Sequence, residues 1–123
     1  MSYTITTSIL FVGGITLAKG TAKLVDAIGV PATLEQMAEE CNELAHACLK
    51  YARYLRNENQ VHGKSKYQML DNLHEEMADV YVTLREIRKI PGLIDNEKLD
   101  DTVDAKRKRM AKRLGLKEDS FIF

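Results

Sequence analysis

Two pairs of carboxylates stand in matching contexts, Glu40 with Glu43 and Glu76 with Asp79, each pair three residues apart. On a helix that spacing sets both side chains of a pair on one face, a single turn apart. Each pair lies inside the same longer pattern. Residues 34–44 align without gaps on residues 70–80, and the shared apolar positions read as helix in both copies. Two such helices packed side by side would bring four carboxylates together. Such a cluster is unfavourable without a cation. The pattern therefore predicts a hard metal ion bound through oxygen, magnesium first and manganese as its substitute.

The elements that must hold these residues follow from periodicity and punctuation. Residues 1–14 are rich in Thr, Ile and Val and read as a short strand or extended arm. A first helix is expected over residues 15–29, weakened by Gly20 and ended by Gly29 and Pro31. Thr33 is placed to cap a second helix over about 33–57, and residues 57–66 read as a loop. A third helix runs from about 67 to 90 and stops at Pro91-Gly92. A fourth runs from near Asn96 to about Leu114, with Gly115 as its stop. Four helices with short or moderate connections make an all-α, four-helix-bundle-like domain, with the acidic motifs on the second and third.

Placed at about 100° per residue, the second helix has a core stripe of Leu34, Met37, Ala38, Cys41, Leu44, Ala45, Cys48, Ala52 and Leu55. The stripe of the third is Leu70, Leu73, Met77, Val80, Tyr81, Leu84 and Ile87. Glu40 and Glu76 border their stripes at the same flank, with Glu43 and Asp79 about 60° further round. A charge bordering a core is an unusual choice unless something pairs with it. One acidic pair alone usually marks a solvated face. The repetition in both residue type and orientation favours the cluster.

The totals bound the remaining classes. A chain of 123 residues is about one domain. Its 45% apolar content fits a globular protein with a core that is not generous, so a homodimer or homotetramer is expected. Eighteen basic and eighteen acidic side chains cancel, so long-range attraction to nucleic acid or membrane is not the dominant theme. Cys41 and Cys48 lie seven apart, two turns or roughly 10 Å along one helix. That is too far for a disulfide between them. They read as small core residues of a cytoplasmic protein. The apolar run Ile9, Leu10, Phe11, Val12 is interrupted by Gly13-Gly14, is too short to span a bilayer, and no signal peptide is read.

The sequence Glu39-Glu40-Cys41-Asn42-Glu43, followed by Glu76-Met77-Ala78-Asp79, resembles the MazG-like superfamily of all-α nucleoside triphosphate pyrophosphohydrolases, whose signature is an EExxE element and a later ExxD element. The resemblance covers about residues 30–114. Thirty-two residues separate Glu43 from Glu76, long for the family, which implies a larger loop around residues 57–66. The resemblance implies a magnesium-dependent enzyme that cuts a nucleoside triphosphate to its monophosphate and pyrophosphate. Carried across, Glu40, Glu43, Glu76 and Asp79 are metal ligands, and Glu39 or Glu43 takes a proton from the attacking water. The basic last helix of the family implies triphosphate contacts from Lys106, Arg109 and Arg113. Lys50 lies two turns beyond Glu43 on nearly the same side and is a further candidate. Tyr51, Tyr54 and Tyr67 are aromatic candidates for stacking on a base, and His62 and Lys64 for closing over phosphates.

Two rival readings use other residues. Glu43 and His46 form an ExxH, as in di-iron bundles, but the only other candidate is Asp71 with His74, which lacks the glutamate. A non-enzymatic nucleic-acid- or partner-binding module could use the basic fourth helix. It has no need of the duplicated acids, and no groove-reading motif accompanies it.

Overall fold

The computed structural model describes residues 11–12, 15–16, 23–57 and 65–117. The fold is all-α, as expected, and the described residues form three helices: α1 (Leu24–Leu55), α2 (Lys66–Arg88) and α3 (Asn96–Arg113). Before them, β1 (Phe11–Val12) and β2 (Ile15–Thr16) pair antiparallel as a minimal ladder, with Phe11 opposite Thr16 and Val12 opposite Ile15. The expected separate helix over residues 15–29 is corrected by this. Ile15 and Thr16 are extended, residues 17–22 lie outside the described residues, and α1 begins at Leu24.

The break expected at Gly29 and Pro31 is present, but as a kink within α1. Gly29 has φ 83° and ψ 167°. That conformation belongs almost entirely to glycine. Pro31 has no N–H for the preceding turn, so the helix restarts beyond the kink. Thr33 is not the cap that the sequence suggested. It is fully buried inside the helix, and its hydroxyl donates to the Gly29 carbonyl at 2.7 Å. The start of α1 lacks a side-chain cap of its own. Instead the Leu24 N–H donates to Glu86 Oε2 on α2 at 3.0 Å. A carboxylate there satisfies an orphan donor and suits the positive end of the helix.

The start of α2 is set by a capping box that the sequence reading passed over. Ser65 Oγ accepts from the Gln68 N–H, and the Gln68 side chain accepts from the Ser65 N–H. Ser-x-x-Gln before an apolar run is its sequence signature. Ser65→Ala is expected to lower stability by about 1 kcal/mol, read as a lower urea midpoint with an unchanged slope. At the far end, Gly115 takes φ 66°, Leu116 N–H donates to Ala111 O at 2.9 Å and Gly115 N–H to Lys112 O at 3.2 Å, which stops α3 where expected.

The chain divides into two compact units, residues 1–89 and 90–123. In the first, α1 and α2 form an antiparallel hairpin: the first residue of α1 meets Glu86 near the end of α2, and Glu40 and Glu43 meet Glu76 further along. Its buried residues are Thr33, Glu40 and Ala47 on α1, and Met69, Thr83 and Ile87 on α2. The second unit carries α3, capped by the Asp95 side chain accepting from the Lys98 N–H at 2.9 Å. Its buried apolar residues are Ile90 and Ala111.

The packed edge of α1 is therefore not the stripe that periodicity suggested. Thr33, Glu40 and Ala47 face α2 at seven-residue steps, while Leu34, Ala38, Cys41, Ala45, Cys48 and Leu55 are exposed. The apolar arc of α1 is wide, and α2 covers only the border beside the acids. Cys41 and Cys48, expected in the core, are free and exposed. No helix among the described residues is long and apolar enough to cross a membrane.

Candidate metal centre

Glu40 sits in the middle of the α1 edge that packs on α2, so the helix that builds the core also buries an acid. It is 7% exposed. Glu43 lies one turn on, at the exposed rim, and Glu76 faces both from α2, half-buried. One carboxylate oxygen from each of these three lies within 4.8 Å of the others. Asp79, one turn on from Glu76, is half-buried and outside that trio, but its charge acts on both Glu40 and Glu76. The duplicated motif thus converges across the hairpin: three of its four carboxylates meet directly and the fourth adds its field.

The electrostatics are those of crowded acids. Burial pushes the Glu40 carboxyl above its ordinary range; a hydrogen bond from Gln36 pulls it back, and the charges of Asp79 and Glu43 raise it further. Burial also raises Glu76, to about 6, helped by a hydrogen bond shared with Glu43 and by the charges of Glu43, Asp79 and Glu75. No lysine or arginine bridges to these acids among the described residues. Glu40 Oε2 and Glu76 Oε2 are buried and have no hydrogen-bond partner. Two buried, orphaned carboxylate oxygens in one place are costly as they stand. A hard cation would satisfy both and remove the mutual repulsion.

Gln36 was missed by the sequence reading. Its Nε2 donates to Glu40 Oε1, and the four-residue spacing between them was the available signal. Asn72 takes the place of Gln36 in the second copy of the motif and makes no such bond to Glu76 among the described residues. Glu86 was also missed. Burial raises its carboxyl, but hydrogen bonds from Lys89 and the Leu24 N–H outweigh this and hold it below its ordinary range.

The other predicted residues are dispersed. Glu39 is exposed and lies about 100° round α1 from Glu40, outside the trio. Lys50 is half-buried, seven residues and roughly 10 Å of helix rise beyond Glu43. Lys106 and Arg109 belong to the α3 unit, where they line a shallow groove with Asp95, Lys98, Asp101 and Thr102. Arg113 falls in the last turn, beyond that groove. Tyr51 and Tyr54 stack on each other with ring centroids 5.9 Å apart, Tyr67 is exposed, and His62 and Lys64 lie outside the described residues. His74 does not join the acids: its Nδ1 bonds the Leu70 carbonyl of its own helix at 2.8 Å. His46 is exposed on α1 and also absent from the cluster.

The comparisons with known proteins return no relative: no family model, no curated protein and no solved structure matches this chain.

Proposed function

We propose that this chain is a magnesium-dependent nucleoside triphosphate pyrophosphohydrolase of the MazG-like type, releasing a nucleoside monophosphate and pyrophosphate. The observation that carries the reading is the pair of buried, unpartnered oxygens of Glu40 and Glu76, set against Glu43 at the junction of the two motif copies. An all-α fold and the order of EExxE before ExxD support it further.

In this reading Glu40, Glu43, Glu76 and Asp79 hold the cation. When bound, magnesium supplies a contact for the substrate's phosphates, polarises the phosphoryl group and acidifies a coordinated water. Glu43, at the exposed rim, is placed to meet an incoming water, and Glu43 or Glu39 accepts its proton. Lys106, Arg109 and Arg113 are proposed as triphosphate contacts on the strength of the resemblance, and Lys50 as a further cation on the arm that carries Glu43. A cytoplasmic nucleotide pool is the proposed setting.

A panel of ribo- and deoxyribonucleoside triphosphates, incubated with magnesium and resolved by chromatography, tests the reading. Monophosphate with pyrophosphate is expected. Orthophosphate with diphosphate, or no turnover of any nucleotide, defeats it. Lys106→Ala and Arg109→Ala are expected to raise KM about tenfold each with kcat nearly unchanged, as loss of uniform substrate binding requires. An unchanged KM removes them from the site.

A further inference from the structure

The charges of α3 are segregated along its length. Glu97, Asp100, Asp101 and Asp104 lie in its first half, while residues 105–117 hold seven lysines and arginines and no acid. Six of those seven fall between Lys106 and Arg113, inside the helix. The chain as a whole is neutral, so the resulting field is a local one.

Helix geometry gathers these cations on one side. At about 100° per residue, Lys108, Lys112, Arg109, Arg113 and Lys106 follow one another round an arc about 160° wide. All five are exposed. Ala111, fully buried, and Arg107, half-buried, lie on the opposite side, so the basic arc faces away from the packed edge of the helix. Arg107 and Lys108 bond to Asp104 at 2.7 and 3.1 Å. Lys106, Arg109, Lys112 and Arg113 make no ion pair among the described residues. Their neighbours at helical steps are one another: Lys106 with Arg109, and Arg109 with Lys112 and Arg113. Like charges at those steps destabilise a helix. Attraction to the negative end of the helix accounts only for the last turn, which holds Lys112 and Arg113. Lys106, Lys108 and Arg109 lie before it.

We infer that this face binds the phosphodiester backbone of duplex nucleic acid, without reading its sequence. The five cations extend about 10 Å along the helix axis. A duplex presents one phosphate per about 1.7 Å of its own axis, about six over that length. A single strand offers about half that density, and α3 carries no aromatic residue on which its bases could stack. The acids of the first half repel the same backbone and confine the contact to the second. A membrane surface fits less well. A helix lying in that interface buries a large apolar face, and the basic arc holds no apolar side chain larger than Ala105. The inference is independent of the pyrophosphohydrolase reading, which gives Lys106, Arg109 and Arg113 to a triphosphate. Lys108 and Lys112 belong to this face alone.

Fluorescence anisotropy of a labelled duplex of about 20 base pairs, titrated with the full chain at about 50 mM salt, tests this. Binding in the micromolar range is expected, with log K falling against log salt at a slope near about −4. Lys108→Gln combined with Lys112→Gln should flatten that slope by about two, weaken binding at least ~tenfold and leave nucleotide turnover unchanged. Both positions are exposed and glutamine is a good helix former, so the helical circular dichroism should persist. Lys112→Ala alone supplies the same test at about half the effect if the double variant unfolds. No binding at ~100 µM chain overturns the inference. So does a slope near zero, or an affinity indifferent to these substitutions. A duplex displaced by millimolar triphosphate but indifferent to the double variant sits in the nucleotide site, which overturns it too. Binding to phosphatidylserine vesicles without binding to the duplex assigns the face to membranes and has the same result. Duplex binding that responds to the double variant supports the inference even in a chain that turns over no nucleotide, so the two readings fail separately.

Discussion

Glu43→Ala is expected to reduce pyrophosphate release at least ~1,000-fold while the far-ultraviolet circular dichroism spectrum is unchanged. The size follows from position. Glu43 is exposed, so its removal leaves no cavity, and the helix around it gains a good helix former. The same carboxylate has an oxygen within 4.8 Å of oxygens from Glu40 and Glu76 and shares a hydrogen bond with Glu76. In the proposed reading its loss removes both a metal ligand and the acceptor of the water's proton. Asp79→Ala should act in the same direction through the field that it places on both buried acids. Full turnover by either variant removes that residue from the catalytic assignment. Turnover lost together with helicity would instead show that the substitution had damaged the fold, which the exposure of Glu43 argues against.

The second large effect is an unusual dependence of stability on pH. Glu40 and Glu76 both bind protons more tightly in the folded chain than their ordinary value of 4.5, Glu76 up to about 6. Below 4.5 both folded and unfolded chains are protonated at Glu76, and its contribution is fully present. Between 4.5 and about 6 the folded chain holds more protons, so raising the pH lowers the unfolding free energy. Above that window the loss is complete. A rise from 4.5 to about 6 corresponds to about 2 kcal/mol, which solvent screening at this half-open site brings nearer ~1 kcal/mol. Glu86 and Asp104 run the other way: their carboxyls lie below their ordinary values, so their contribution is lost as the pH falls. Thermal melts in chelator from pH 4.5 to 7.5 should therefore show Glu76→Gln gaining on the parent protein as the pH rises, by about 3–5 °C at the top of the range. Millimolar magnesium should raise the parent's midpoint at pH 7 and leave that of Glu76→Gln almost unmoved. Parallel profiles for the two proteins in chelator would sink the crowded-acid account.

The sequence carried the acids well and the packing less well. The repeat of 34–44 in 70–80 located Glu40, Glu43 and Glu76 because a three-residue spacing survives any small error in helix boundaries. The end of α3 was readable from Gly115, which has local chemistry of its own, and its start near Asn96 agrees with the Asp95 cap that the sequence reading did not name. The start of α1 was not, because its first N–H is satisfied by Glu86, sixty-two residues away, and a partner that distant leaves no local signal. The face that α1 turns inward was also hidden. Periodicity finds an apolar arc but does not say which border of a wide arc meets its neighbour. Thr33, Glu40 and Ala47 won that border over Leu34, Cys41 and Cys48. A threonine and a glutamate in the packed seam run against hydropathy, and hydropathy was the signal being used.

Gln36 and Asn72 occupy equivalent places in the two motif copies, but only the longer amide reaches its acid. Glu40 is thereby tethered through one oxygen, with the other left pointing at its neighbours, whereas Glu76 has no amide restraining it. The two acids are held unequally, Glu40 by an amide of its own helix and Glu76 by the bond that it shares with Glu43. In the proposed metal-binding reading, an entering ion would meet the tethered carboxylate on α1 first and draw in the one on α2 by rotation of its side chain. Ions of differing radius should then be accommodated on the α2 side alone.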